Sequence, residues 1–484
     1  MTAATAFDAR ALVSGSWKAD ASAGAAIRRS PYSGADASVA ALCGAPEVEA
    51  ARTFATASAG SVRAIPPFRR AEILERAAEI LSARAGEVAA LESTELGKPV
   101  KDTTKEALRA GETLQIAAAE ARRLGGEVLP TEGWPAGAGS SAIAVRVPVG
   151  IVLAITPFNA PLNLLTHKIA ASFAAGCTTI VKSPPQAPGT STRLVQILLE
   201  AGMPESAIQL LHGGADLGDA LVRIPELGAV AFTGSAAAGK RVAAAAAGKR
   251  LVLELGGNAA TLVCADADLD DAARVCAQTG YSNSGQSCIS VQRVYVDAAR
   301  FEEFVSVFRE RVAALRVGDP LDPQTDVGTM VDAGAASRIA GWVQEAVSAG
   351  ARLELGGVAN GAALAPTVVA SPPKDAKVVA EEVFGALVSV LPFSDFSSAL
   401  NEANSTPYGL QGGLFTFDLR RVFQAIRDFD VGGLVINGSS NFRLDHLPFG
   451  GIKDSGIGRE SPRWMVEDFT YLKTVHFRGF SLWG

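Results

Sequence analysis

The stretch AFTGSAAAGKRVA, Ala231 to Ala243, carries an apolar run through Gly234 and Ser235 into an alanine-rich helix former. Gly234, Gly239 and Lys240 match the phosphate-loop pattern G-x-x-x-x-G-K-[ST] up to its last position. That position needs a hydroxyl to hold magnesium, and here it is Arg241. The dinucleotide fingerprint G-x-G-x-x-G is absent as well. A strand that opens a helix still offers unpaired N–H groups and a positive dipole end to an anion. Three readings stay open: a magnesium nucleotide, a dinucleotide pyrophosphate that needs no magnesium, and a turn that binds nothing. Lys240 and Arg241 read as helix-surface cations.

The flanking residues decide the fold. GIVLAIT (150–156), TTIVKS (178–183), IQLLHG (208–213), GAVAFTG (228–234) and RLVLELGG (250–257) are short, continuous apolar strands. Helical stretches separate them: LNLLTHKIAASFAAG (162–176), STRLVQILLEAG (191–202) and LGDALVRI (217–224). That alternation predicts a parallel sheet covered on both faces, a doubly wound α/β domain. Residues 47–124 read as helices packed on the same sheet, and 127–148 as an extended excursion. A second α/β unit begins at 256, with strands and helices in 293–315, 335–350, 365–371 and 432–438. EDFTYLKTVHFRG (467–479) reads as a strand with no partner inside its own domain.

A chain of 484 residues is too long for one core, so two or three domains are expected. A net charge of −6 and the lack of a basic stripe argue against nucleic acid. The N-terminus has no basic segment followed by an apolar one, and no run reaches the length of a membrane span, so no membrane partner is expected. The five cysteines are odd in number with no C-x-x-C pair, which points to a reducing, cytoplasmic compartment and to no metal. The four histidines form no H-E-x-x-H pair.

Three stretches carry chemistry. NSGQSCIS (283–290) sets Cys288 among small polar residues in a turn, open to a substrate, whereas Cys177 and Cys264 read as buried hydrophobes. VLELGGN (252–258) puts Glu254 near the end of an apolar strand, where a carboxylate is costly unless paired or functional. ITPFNAPLNL (155–164) puts Asn159 in a turn fixed by two prolines, with an amide able to donate to an oxyanion. A thiolate that attacks a carbonyl, an amide that steadies the oxyanion and a base that activates water together describe one reaction.

With these residues the chain resembles the aldehyde dehydrogenase superfamily over nearly its whole length. TPFNAPLNL, FTGSAAAG, LELGGN, GQSC, EEVFG and PFGGIKDSGIGRE fall in the family's order. The resemblance implies Cys288 as nucleophile, Asn159 with the Cys288 N–H as oxyanion hole, and Glu254 as base for hydrolysis to a free acid. It implies a nicotinamide cofactor along Thr156, Pro157, Phe158, Lys182, Gly214, Phe232, Thr233, Gly234, Ser235, Leu255, Gly256, Glu382 and Phe384. It also implies a dinucleotide-binding domain (1–126 and 147–254), a catalytic domain (255–463) and a small β oligomerisation arm (127–146 and 464–484) of a homodimer or homotetramer.

Two departures bear on specificity. Many NAD-preferring relatives carry an acid three residues after the equivalent of Lys182, and here that residue is Pro185, so NAD is favoured with NADP tolerated. Arg109 and Arg443 stand where branches similar to lactaldehyde, phosphonoacetaldehyde and non-phosphorylating glyceraldehyde-3-phosphate dehydrogenases bind an anion. The resemblance therefore implies a small aldehyde bearing phosphonate, phosphate or carboxylate. A neutral hydroxy-aldehyde is the alternative. Ala160 and Ser287 lack the bulk or charge that those branches often place against the anion, which implies a roomier site.

Overall fold

The computed structural model describes residues 6–481, on two large sheets and two three-stranded ones, with two short two-stranded ladders. The eight-stranded sheet runs Gly456–Ile457, Arg250–Glu254, Leu227–Thr233, Ile151–Ile155, Thr178–Lys182, Ile208–Leu211, Ala11–Val13, Ser16–Lys18. Its five central strands are parallel and buried, and the edges are antiparallel. The chain leaves Ile151–Ile155 in one direction and later returns to its other side as Leu227–Thr233. The strand order therefore reverses between these two, and their carboxyl ends open the crevice in which doubly wound sheets take ligands. Thr156 and Gly234 follow those two ends directly.

The seven-stranded sheet runs Arg352–Leu355, Thr367–Ala370, Leu387–Phe393, Arg293–Asp297, Ala260–Val263, Gln411–Phe415, Gly433–Ile436, parallel except at its first strand. Sequence reading misses three of its inner strands, Leu387–Phe393, Ala260–Val263 and Gln411–Phe415, and the helix Leu269–Gly280. It also misses the sheet of Phe7–Ala9, Asp36–Ala41 and Ala25–Arg29. The strand Thr470–Arg478 finds its partner in Ser140–Pro148, which also pairs with Gly126–Leu129. One boundary needs correcting. Residues 464–469, read with the arm, bury Met465, Val466 and Phe469 in the core of the eight-stranded unit. Residues 1–5 and 482–484 of the assigned domains lie outside the described residues.

Two helices position the site. Val100–Arg123 begins after Pro99 and buries Ala107, Ala110, Leu114, Ala117, Ala118 and Ala121. These recur at helical spacing, and the small side chains let the helix approach Pro67–Ala83 and Pro161–Ala175 closely. Enlarging Ala110 would overpack that seam by about 1–3 kcal/mol. Helix Pro161–Ala175 is buried along its whole length and ends at Gly176, whose φ of 88° suits glycine alone. Glu106 of the first helix caps the second by accepting from the N–H groups of Leu162 and Asn163, both at 3.0 Å.

Candidate active site

Cys288 sits at the end of a strained turn. Asn283, Ser284 and Gly285 have φ of 50°, 54° and 71°, three left-handed residues in a row. A side chain at Gly285 would strike the Gly385 carbonyl at 2.1 Å. The turn is over-determined by hydrogen bonds. Asp102 accepts from the Asn283 N–H at 3.0 Å, and Gln286 accepts from the Val331 N–H at 2.8 Å. Among the described residues, the Cys288 N–H finds no acceptor. Burial pushes the Cys288 thiol up to about 12, Glu382, Glu254 and Glu460 add to the rise, and Arg443 opposes it. Cys43, Cys177, Cys264 and Cys276 are fully buried free thiols.

Asn159 meets Cys288 from the other sheet. Its carbonyl accepts from Asn283 Nδ2 at 2.8 Å and Lys98 Nζ at 3.2 Å. Lys98 is itself held by Glu92 and Glu106. The Asn159 side-chain amide makes no hydrogen bond among the described residues and lines both cavities that contain Cys288. A fixed backbone, a free amide and a free Cys288 N–H form the donor set an oxyanion requires.

Glu254 ends its strand 2 % exposed, and neither carboxyl oxygen has a hydrogen-bond partner. Burial, then the charge of Glu460, raises it well above the usual carboxylate range, against Arg443, Lys168 and Arg459. Glu460 behaves oppositely. Burial opposes its ionisation, but Lys168 and Arg443 hold it down to about 2. Lys168 bonds Glu460 at 2.5 Å and Thr233 Oγ1 at 2.7 Å. Two buried carboxyl groups with separated proton affinities thus face one another, one ready to take up a proton and one held charged.

Two cavities meet the crevice. The outer one, about 630 Å³, lies between helices Ala215–Val222 and Ala236–Ala245 and is lined by Thr156, Pro157, Lys182, Pro185, Gly214, Phe232, Thr233, Gly234 and Ser235. Burial pulls Lys182 down to about 8, and no acid pairs with it among the described residues. Ser235 caps its helix by accepting from the Ala238 N–H at 3.3 Å. Lys240 pairs with Asp454 on the surface at 2.6 Å, and Arg241 is an exposed helix residue that also borders this cavity. The inner cavity, about 300 Å³, adds Phe158, Leu255, Gly256, Glu382 and Phe384 to Asn159, Glu254 and Cys288. Glu382 accepts from the Gly257 N–H at 2.9 Å, and burial raises it to about 7. A Cβ on Gly256 would stand 2.4 Å from the Glu382 carboxylate. The rings of Phe158 and Phe384 meet edge-on at 5.9 Å. An unneutralised lysine, a free helix terminus and a glycine cradle fit a dinucleotide laid across both cavities.

A third cavity of about 350 Å³ reaches Cys288 from the opposite side. Lys105, Arg109, Ala160, Ser287 and Arg443 line it. The two arginines read as anion ligands are both engaged by Asp445. Arg109 forms a fork on it at 2.7 and 3.0 Å with its side chain 40 % exposed, whereas Arg443 is buried. Lys105, one turn before Arg109, has no acid partner among the described residues. Sequence reading missed Lys105, Lys168, His167, Asp445 and the role of Glu460. The only signal was a set of ionisable residues in apolar or motif contexts, such as His167 and Lys168 inside a buried helix.

Comparison with known proteins finds relatives in sequence and in fold. The model of the "Aldehyde dehydrogenase family" matches residues 17–475. A 3-sulfolactaldehyde dehydrogenase of Priestia aryabhattai is 41% identical over 84% of this chain and 86% of its own. The crystal structure of aldehyde dehydrogenase 21 from Physcomitrella patens, in complex with the reaction product succinate, has a TM-score of 0.95 at 33% identity, covering 99% of this chain and 100% of that one. An NADP-dependent glyceraldehyde-3-phosphate dehydrogenase from Bacillus halodurans, complexed with NADP, gives 0.95 at 31%, over 98% and 99%.

Proposed function

The chain belongs to the aldehyde dehydrogenase family, and from that premise we propose that it oxidises a small aldehyde bearing a sulfonate or similar anion to the free acid. The observation that carries this reading is the third cavity. Lys105 and Arg109 lie one turn apart on one helix, in the same cavity wall as Cys288. The relatives named above act on, or hold, compounds with sulfonate, carboxylate or phosphate, and the shared feature is a fixed negative charge near the carbonyl. A cation without an acid partner beside a forked guanidinium matches that feature.

The residues divide the work as follows. Cys288 Sγ adds to the aldehyde carbon as thiolate. The Asn159 amide and the Cys288 N–H donate to the oxygen that gains charge. A nicotinamide cofactor would supply the hydride acceptor through which the Cys288 adduct, losing its C–H hydrogen with the electron pair, becomes a thioester. Lys182 and Ser235 would hold its adenosine and phosphate portions, and Glu382 and Phe384 its nicotinamide portion. Glu254 then takes a proton from water, which attacks the thioester and releases the acid and Cys288. With Pro185 in place of an acid, nothing at that position repels a 2′-phosphate, so NADP is accepted beside NAD.

We further assign Thr470–Arg478 as an oligomer contact, because it is an exposed edge strand bearing Tyr471, Leu472 and Phe477. Five free cysteines suit a reducing cytoplasm, and no helix among the described residues is long and apolar enough to cross a membrane.

The test is a set of three-carbon aldehydes ending in sulfonate, phosphate, carboxylate or hydroxyl, assayed at 340 nm with NAD and NADP. The wild type is expected to favour the sulfonate over the hydroxyl compound, and Lys105→Ala or Arg109→Ala to lose roughly ten- to a hundredfold in kcat/KM on the anion alone. Equal wild-type kcat/KM on charged and neutral aldehydes would refute the assignment.

A further inference from the structure

Arg443 is the one cation that borders both cavities containing Cys288. Its side chain is 9 % exposed, and its guanidinium carbon lies 4.1 Å from the centre of the Phe449 ring. Its nitrogens are turned inward: Nη1 to Glu460 at 3.0 Å, Nη2 to His167 Nε2 at 3.1 Å, Nε to Asp445 at 3.4 Å. A residue that only waited for a substrate anion would hold its donors free in the cavity.

Cys288 and Glu254 are both acids that work as anions, the first to attack and the second to take a proton. In the inner cavity Glu382 and Glu460 stand with them, against Arg443 and Arg338. Lys98, Lys105 and Arg109 line only the third cavity and are absent from the inner one that holds Glu254; the remaining cations are committed elsewhere. Lys168 is bonded to Glu460 and Thr233 and borders neither cavity. Arg459 donates to the carbonyls of Gly451 and Gly458, and Arg338 to that of Val383. His167 is buried and held neutral by burial and by Arg443. In the buried set, Glu460 and Asp445 balance Arg443 and Lys168. Removing Arg443 leaves an excess negative charge beside the two groups that must themselves become negative.

We propose that Arg443 is a positioning residue for the chemistry itself: the shared counter-charge that holds Cys288 and Glu254 toward their ionised forms, whether or not the substrate carries an anion. This goes beyond the substrate assignment and does not depend on it. The first measurement uses no aldehyde at all. Alkylation of Cys288 by iodoacetamide, a neutral reagent, is followed against pH in the wild type, Arg443→Gln, Arg443→Met and Arg443→Lys, each checked for native circular dichroism. The second is the pH profile of kcat on propionaldehyde. In Gln or Met the alkylation midpoint and the acid limb of kcat both move up by about one pH unit, as expected for the loss of an opposite charge from the same cavity wall. Lys keeps both within about a third of that shift. A neutral variant that folds with an unmoved alkylation midpoint overturns the proposal. If neither neutral variant folds, Lys decides: a midpoint close to that of the wild type supports the charge, and one raised by a full unit overturns it.

Discussion

Replacing Glu254 by Gln should separate the two halves of the reaction. The carboxyl is 2 % exposed and hydrogen-bonds to nothing among the described residues, so the substitution breaks no structural bond. Cys288, Asn159 and the nucleotide cavities stay as they are. The variant should therefore bind both substrates, form the thioester and release reduced cofactor once per Cys288. Hydrolysis then lacks its base, a loss of about 10²–10⁴ in the steady-state rate. Stopped-flow absorbance at 340 nm should show a burst of about one equivalent per active site followed by a near-flat phase. Stability should move the other way. A buried carboxyl with no partner costs about 1–3 kcal/mol. Its folded pKa lies above the unfolded value, so the wild type is most stable with this group protonated. That contribution is lost as pH rises through the folded pKa. Chemical denaturation should then show the variant gaining on the wild type as pH rises above the ordinary carboxylate range. Unchanged turnover, or loss of the burst together with the steady rate, would refute the role assigned to Glu254.

Two further outcomes follow from the surroundings. Pro185→Glu places a carboxylate in the cavity wall with Lys182. At about 6 Å and an effective dielectric of about 20, one unit of repulsion with the 2′-phosphate is about 3 kcal/mol, so kcat/KM for NADP should fall roughly a hundredfold while that for NAD holds. Asp445→Asn removes the charge shared by Arg109, Arg443 and His167, which should cost about 3–5 kcal/mol in urea denaturation. Burial raises the Asp445 carboxyl, but His167, Arg109 and Arg443 outweigh it and keep it far below the usual range. Its stabilisation is therefore present above the unfolded carboxylate range and lost as pH falls through the folded pKa. The stability gap between wild type and variant should close in strong acid.

The parts of the site visible in the sequence are those whose local context is anomalous. Glu254 in an apolar strand, Cys288 in a run of small residues and Asn159 between prolines each stand out in isolation. The structure sets all three on one cavity wall. Hidden from sequence were groups made meaningful by distant partners. Glu460 joins Lys168 across 292 residues, and Asp445 joins Arg109 across 336. Arg443 was noticed, but a guanidinium on a cavity wall and one buried against a glutamate look alike in one dimension. The strand Ala260–Val263 escaped because four residues, three of them apolar, are too few to carry a period of their own.

The hydrogen bond from Asn283 to the Asn159 carbonyl has a mechanical consequence. Asn159 follows a strand of one large sheet, and Cys288 precedes a strand of the other. Any relative motion of the two sheets would pull the Cys288 thiol and the Asn159 amide apart if each rode only on its own sheet. Asn283 rivets the two loops together, and Gln286 braces the rivet from the cysteine side. Cys288 and Asn159 thus travel as one piece, and their spacing is set by the hydrogen bonds of Asn283 rather than by the relative placement of the sheets.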